Sequence, residues 1–381
     1  MHAILHLVVT KRYKMKQANH QDAMFSLLRF ALGIDSEVTT LPAEWETFYE
    51  KVRQQSLSGI LFDGVNRLAE GQAPPFGLAL RWAREAERLS GINALFNAES
   101  ARLTRLFEAE GHQTFILKGQ ANARLYPNPL RRHAGDIDIW VSGGRQSVAE
   151  LLVRAGMLNK DDVGDTEEYE HAYHFHLPPN EHGITVEVHY SYALGGPAPR
   201  TYRRLMAYLD EQAAKGVSRV PEGFNVPSLA FALPMQLSHI SKHILIDGLS
   251  LRQVIDYYML LKVSSESERQ ALSSRLRSLG LYHVAAGLMW VLAQVLHIPE
   301  NLMLTAPDRR RGRWILNHIV DGGNFAQYNE KRQQGWWERI VDSRWQRLQR
   351  IWLSPADAKW FVHEELEQWR KTVKLKIEGD K

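Results

Sequence analysis

Two aspartates form the pattern in this sequence that most directly indicates chemistry. They lie in the segment Gly135–Val141 (GDIDIWV), where acidic and apolar residues alternate as is typical of a half-buried β-strand. Because successive side chains on a strand point to opposite faces, Asp136 and Asp138 are predicted to share one face, with the isoleucines facing the core. Two neighbouring carboxylates repel each other unless a cation lies between them, so this pair predicts a divalent-metal site.

A second alternating segment, Ile184–Tyr190, supplies a third acid. Its aliphatic residues are predicted to face the core, which places Glu187 and His189 together on the polar face. Beside the aspartates, Glu187 would complete a set of three acids that holds two hard divalent ions, because Mg²⁺ prefers oxygen ligands. Two such ions activate an attacking hydroxyl and stabilise the charge on a transferred phosphoryl group.

The elements that position these acids interleave strand and helix. A strand is predicted at Thr114–Leu117, a short helix at Gln120–Tyr126, a strand at Asp136–Val141 and a helix at Ser147–Ala155. The alternating segments 173–177 and 184–189 are separated by a turn-rich stretch and predict a β-hairpin. This order lacks long βαβ repeats, so the predicted fold class is α+β with a small mixed sheet.

Helical patterns flank that segment on both sides, which predicts three regions in the chain. Residues 1–110 are predicted to form an N-terminal helical region, of which 1–20 are expected to be a disordered leader. Residues 111–195 are the predicted catalytic α+β domain. Residues 196–381 are the predicted C-terminal helical domain, with helices at Ala230–Lys242, Leu251–Lys262 and Ser273–Leu296 and a basic, tryptophan-rich tail.

Composition excludes several kinds of site. The 381 residues contain no cysteine, so disulfides, thiolate zinc sites and cysteine nucleophiles are excluded. The formal charge of +4 is too small to indicate a partner by itself. No segment is apolar enough to predict a membrane span, and a cytoplasmic protein is expected.

Several short motifs resemble a known family. Leu117–Gly119 (LKG), Leu125–Pro127 (LYP), Arg131 and Gly135–Asp138 (GDID) are similar to the uncharacterised nucleotidyltransferase family of the DNA polymerase β-like superfamily. Glu187–His189 (EVH) matches the strand that carries the family's third acid. In addition, Leu251–Asp256 (LRQVID) resembles the family's C-terminal helical segment, so the resemblance extends over about two-thirds of the chain.

The resemblance implies a polymerase β-like palm that transfers a nucleoside monophosphate from an NTP, expected to be ATP, to a hydroxyl of an unknown acceptor. It also implies two Mg²⁺ ions, with Mn²⁺ as an alternative. Asp136 and Asp138 would bind both ions, while Glu187 would bind the catalytic ion and help to deprotonate the acceptor hydroxyl.

The same resemblance implies a phosphate-binding turn. Gly119 would let the backbone approach the triphosphate, while Lys118 and Arg131 would contact the phosphates by charge. Gln120 belongs to this turn and departs from the wider superfamily, in which serine or a second glycine follows the glycine.

Several alternatives stay open. The acceptor could be a protein or an RNA, as in adenylylating enzymes of the toxin or antitoxin type, or the chain could be a catalytically silent nucleotide-binding or regulatory module. The tail Gln333–Lys374 could be a surface for nucleic acid or anionic lipid, or it could pack on the protein. His171, His174 and His176 suggest zinc only weakly, because no further ligand is spaced for tetrahedral closure.

Overall fold

The structure is a computed structural model that describes residues 20–159, 173–192, 200–245, 248–322, 352–353 and 355. The predicted leader therefore lies outside the described residues, except for residue 20, which is helical. Among the described helices, none combines the length and the apolar character that crossing a membrane requires.

A four-stranded mixed sheet lies at the centre of the fold. Its strands are β1 (Thr114–Ile116), β2 (Ile137–Val141), β3 (His174–Leu177) and β4 (Val186–His189), in the order β1-β2-β4-β3. β1 is antiparallel to β2, β2 is parallel to β4, and β3 is antiparallel to β4. The predicted hairpin and the α+β class with a small mixed sheet are confirmed.

Helices precede and follow the sheet. Before it come α1 (20–31), α2 (Trp45–Gln54), α3 (Ser58–Val65) and the long α4 (Phe76–Ala109). Between β1 and β2 lie α5 (Gln120–Ala123) and a 3₁₀ turn (Pro129–Arg131), and α6 (Gly144–Arg154) follows β2. Further along the chain are α7 (Arg200–Ala213), β5 (Val217–Arg219), β6 (Asn225–Pro227), α8 (Leu229–Leu245), α9 (Leu251–Val263), α10 (Glu266–Arg275), α11 (Tyr282–Leu296), a 3₁₀ turn (Glu300–Leu302) and α12 (Arg309–Gly322).

The two faces of the sheet are buried against different partners. On one face, Ile137 and Ile139 of β2 pack with Val188 of β4 in a cluster that includes side chains of α4 and α6. On the other face, Phe115 and Trp140 join an aromatic group with ring centres 4.8 Å apart. This second face is apolar only over β1 and the end of β2, which leaves the acidic positions of β2 and β4 facing a cleft.

The two helical regions share one apolar core. Buried side chains from α1 to α3 and from α8 to α12 belong to a single cluster. Gln55 joins them by hydrogen bonds, because its amide donates to the carbonyl of Ile319 at 2.7 Å and its oxygen accepts from the backbone N–H of Leu251 at 3.1 Å. The domain boundaries near residues 110 and 195 stay predictions.

A capping motif in the sequence marks the start of helix α9. Ser250 and Gln253 form a reciprocal capping box at its N-terminus. This arrangement satisfies backbone donors that the first helical turn otherwise leaves without partners. The cap fixes the position at which α9 enters the core, and therefore the positions of the polar residues that follow it.

One predicted helix is wrong. The predicted helix Ser273–Leu296 is interrupted between Arg275 and Tyr282. Gly280 has a φ of +77°, and the N–H of Leu281 donates to the carbonyl of Leu276 at 2.8 Å. Buried leucines continue across the break, so the apolar spacing persists although the helix ends.

The sequence patterns also missed the short hairpin β5–β6, which lies in a region predicted to be helical. Asn225 attaches this hairpin to the central sheet, since its amide donates to the backbone carbonyl of Thr114 at 2.9 Å. Strands of three residues carry too little alternation to be recognised from sequence.

Most of the tryptophan-rich tail lies outside the described residues. Trp352 is described, and the guanidinium carbons of Arg310 and Arg311 in α12 lie 5.0 and 5.2 Å from its ring centre. At this position the tail packs on the protein.

Candidate active site

A cleft of about 320 Å³ opens between the acidic face of the sheet and helices α8 and α9. Five of the predicted site residues line it: Lys118, Gly119, Asp136, Asp138 and Glu187. Gln120 and Arg131 are not among the residues that line the cleft. The opposite wall comes from α8 and α9 and is mainly cationic or imidazole-bearing.

The three acids meet because of strand register. Asp138 lies directly opposite Glu187 in the parallel pairing of β2 with β4. Their carboxylates, together with His189, offer ligand atoms that all lie within 4.8 Å of one another. Asp136 precedes the first residue of β2 and lines the same cleft.

Neighbouring groups hold Asp138 and Glu187 in their charged form. The Lys118 ammonium lies 3.0 Å from Asp138 Oδ1, and His189 Nε2 lies 3.1 Å from the same oxygen. Burial alone would raise the pKa of Asp138, but the charge of Lys118 and the hydrogen bond from His189 outweigh it, so this pKa lies below its ordinary value. The balance is similar at Glu187, whose pKa falls to about 2 despite burial because His189 and His174 favour its charged form.

The donor set fits a divalent cation. The side chain of Asp138 is 1% exposed, and its Oδ2 is buried with no hydrogen-bond partner among the described residues. A buried carboxylate oxygen without a donor is unfavourable unless a cation or water satisfies it. Carboxylate oxygens are also the ligands that Mg²⁺ and Mn²⁺ prefer. These residues therefore suit such an ion.

The turn after β1 differs in detail from the prediction. Gly119 has a φ of +61°, a conformation that glycine adopts without steric cost, and it lines the cleft. Gln120 is buried and points away, because its amide donates to Asn97 Oδ1 at 2.7 Å in α4. The Gln120 side chain therefore attaches α5 to α4 and does not line the cleft.

Arg131 and Arg132 point in different directions. Arg131 pairs with Glu87 of α4 at 2.6 Å and with Asp63 of α3 at 3.3 Å. Arg132 lines the cleft, and its Nε and Nη2 each lie 2.7 Å from a separate oxygen of Asp256. The structure thus assigns Arg131 to the attachment of the loop to α3 and α4.

Sequence patterns did not predict that Arg252 contributes a cation to the cleft. Its spacing from Asp256 in α9 predicts a local ion pair, and this prediction is wrong because Arg132 occupies that carboxylate. Arg252 is 6% exposed and donates to the carbonyl of His133 at 2.8 Å, while its Nε is buried with no partner among the described residues. Burial and the charge of Arg132 lower its pKa to about 10.

The remaining polar residues of the α8 wall lie close together. His239 Nε2 and His243 Nε2 are 2.8 Å apart, one turn along the helix. Lys242 lies with its ammonium 4.5 Å from the ring centre of Tyr173, whose hydroxyl accepts its hydrogen bond. Burial lowers the pKa of His239 well below its ordinary value, so this side chain is neutral near pH 7.

A second group in the cleft also has metal-ligand character. His174 and His176 of β3, together with Glu187, present ligand atoms within 4.8 Å of one another. The third member of this group, Glu187, comes from the other strand of the hairpin, opposite His176, so spacing along the sequence does not indicate it. His171, the remaining histidine of the weak zinc suggestion, lies outside the described residues.

Comparison with known proteins gives one match. The model of a family described as "Uncharacterised nucleotidyltransferase" matches residues 42–297, which include the sheet, the cleft and helices α8 to α11. None of the curated proteins and none of the solved structures compared matches the chain.

Proposed function

The chain belongs to the uncharacterised nucleotidyltransferase family and is a transferase enzyme, and we propose that it transfers a nucleoside monophosphate from an NTP to an acceptor hydroxyl in the acidic cleft. The observation that carries this proposal is the in-register pair of Asp138 and Glu187, with Asp136 beside them in the same cleft. We assign the sheet to a polymerase β-like palm on the same grounds.

In this proposal Asp136, Asp138 and Glu187 hold two Mg²⁺ ions, or Mn²⁺ in their place. When bound, such ions neutralise charge on the triphosphate and make the acceptor hydroxyl more acidic. The carboxylates contribute fixed negative charge, since the pKa values of Asp138 and Glu187 lie well below neutrality. The buried Oδ2 of Asp138 supports the assignment, because it lacks a donor among the described residues.

The reaction forms a bond from the acceptor oxygen to the α-phosphorus and breaks the bond from that phosphorus to the β-phosphate. Pyrophosphate leaves, and the hydroxyl proton passes by way of Glu187 to solvent. The role of the chain is to orient the two reactants and to surround the developing charge with fixed groups of opposite sign.

We propose that the triphosphate lies against Lys118, Gly119 and Arg252. Arg252 is the strongest choice, since its buried guanidinium has no carboxylate partner of its own among the described residues. A phosphate provides negative charge and two oxygens that can accept a bidentate pair of hydrogen bonds from the planar guanidinium. This assignment gives Arg252 the role that the family resemblance implied for Arg131.

Replacing Arg252 with methionine is expected to raise the Kd for an NTP with Mg²⁺ by about 10- to 100-fold. A hydrogen bond to a charged group contributes about 1.5–3 kcal/mol, and about 1.4 kcal/mol corresponds to a tenfold change in Kd. Isothermal titration with a non-hydrolysable NTP measures the change.

Arg131→Met provides the matched control, because it removes an arginine that pairs with Asp63 and Glu87 outside the cleft. Its nucleotide affinity should equal that of the wild type. In addition, Arg252→Met should not lower the free energy of unfolding, since it removes a buried charge without a carboxylate partner. Equal affinity in the wild type and Arg252→Met would exclude Arg252 from phosphate binding.

The reaction itself can be tested with NTPs labelled at the α-phosphate, supplied singly with Mg²⁺ or Mn²⁺ to the protein in a cell lysate. Label on a protein, an RNA or a small molecule identifies the acceptor class. Nucleotide binding without transfer would favour the silent-module alternative. Absence of both binding and transfer would reject the proposed function.

A further inference from the structure

We propose that His174, His176 and Glu187 form a second metal site, for a transition-metal ion such as Zn²⁺ or Co²⁺, at the edge of the cleft. The proposal concerns metal binding in the absence of nucleotide and does not depend on the transfer reaction. It goes beyond the acidic site because two of its three ligands are imidazole nitrogens.

The histidine rings are arranged so that their nitrogens converge. His174 and His176 are neighbours on one face of β3, and their rings are nearly perpendicular at 85°. His174 Nε2 lies 2.9 Å from His176 Nε2, and His176 Nε2 lies 3.5 Å from Glu187 Oε1. Two ligands of a tetrahedral zinc ion with bonds of 2.0–2.1 Å are about 3.3 Å apart, so small shifts suffice to bind one.

The types of ligand select the class of metal. Imidazole nitrogen favours zinc and other first-row transition metals, whereas Mg²⁺ favours oxygen and retains its waters. A set of two histidines and one glutamate leaves a fourth position open for water or substrate. His176 is 63% exposed on its side chain, so an ion has a path from solvent to this position.

Glu187 lies between this site and the acidic site. Its Oε1 faces His176, while its Oε2 lies 3.6 Å from His174 Nδ1 and 3.4 Å from His189 Nε2, which also contacts Asp138. A carboxylate placed in this way can give one oxygen to each of two ions. The histidine site would then place a transition metal beside the position proposed for Mg²⁺.

Titration of the full-length protein with Co²⁺, followed by its visible absorption, tests the proposal without nucleotide. The wild type should bind Co²⁺ with a ligand-field spectrum that Zn²⁺ abolishes and excess Mg²⁺ leaves intact. His176→Ala should weaken this binding by about 100-fold or more, since even the hydrogen-bond partners of metal ligands contribute about 10- to 100-fold. His176 is exposed, so the variant is expected to fold normally.

Two further variants complete the design. His182→Ala removes an exposed histidine from the turn of the same hairpin and should leave the spectrum unchanged. Asp136→Asn should also retain Co²⁺ binding while it impairs transfer, which separates this proposal from the proposed function. No spectrum in the wild type, an unaltered spectrum in His176→Ala, or displacement of Co²⁺ by Mg²⁺ would each overturn the histidine site.

Discussion

Replacing Asp138 with asparagine is expected to lower the rate of nucleotidyl transfer by about 1,000-fold or more. A bound metal ion contributes several kcal/mol to stabilisation of the transition state, and each 1.36 kcal/mol corresponds to about a tenfold change in rate. Asparagine keeps the shape of aspartate but removes the charge from a group that contacts Lys118 and His189. Transfer of α-phosphate label measures the loss.

The matched control is Asp63→Asn. Asp63 of α3 is also an aspartate paired with a cation, but its partner is Arg131 and it does not line the cleft. Its transfer rate should match that of the wild type. If Asp138→Asn retained the wild-type rate while remaining folded, Asp138 would have no part in the mechanism.

Replacing Asp256 with asparagine is expected to lower the free energy of unfolding by about 3–5 kcal/mol, the usual result of removing one partner of a buried ion pair. Asp256 is 1% exposed and accepts two hydrogen bonds from Arg132 and one from the Tyr126 hydroxyl, each at 2.7 Å. Without the carboxylate charge, the guanidinium of Arg132 would remain buried beside the cation of Arg252. Urea unfolding measures the change.

An exposed pair provides the control for this stability prediction. Glu46 and Arg81 form an ion pair on the surface, with both side chains more than half exposed. Glu46→Gln should cost less than about 1 kcal/mol, because solvent-exposed ion pairs contribute little. A loss in Asp256→Asn no larger than that of Glu46→Gln would contradict the role assigned to the buried pair.

The buried pair of Arg132 and Asp256 can also be examined with a double variant. Replacing Arg132 by methionine and Asp256 by leucine together should be less destabilising than the sum of the two single changes, because neither charge is then left alone. This pair connects the loop before β2 with α9, so it also fixes the walls of the cleft relative to each other.

The strands that carry the acids could be predicted because their signal is local. Alternation places Asp138 on a polar face whatever the neighbouring strand is, and the hairpin 173–189 is bounded by its own turn. The helix interrupted at Gly280 could not be located in the same way, since its apolar spacing continues through the break.

The partners of charged residues could not be predicted because tertiary packing decides them. Arg131 and Arg132 are adjacent in sequence, yet one pairs with α3 and α4 and the other with Asp256 of α9. Because Arg132 pairs with the carboxylate of Asp256, Arg252 faces the cleft, although its spacing along the helix indicates a local ion pair with Asp256. For a similar reason the sequence does not show that Glu187 lies opposite His176, since the pairing of β3 with β4 brings them together.

A crystal structure with Mn²⁺ and a non-hydrolysable NTP tests the central proposal most directly, because the anomalous signal of manganese locates each ion. The expected result is Mn²⁺ bound by Asp136 and Asp138 with Glu187 as a further ligand, and a triphosphate against Lys118 and Arg252. Manganese away from these carboxylates, or nucleotide bound outside the cleft, would contradict a metal-dependent nucleotidyl transfer at this site.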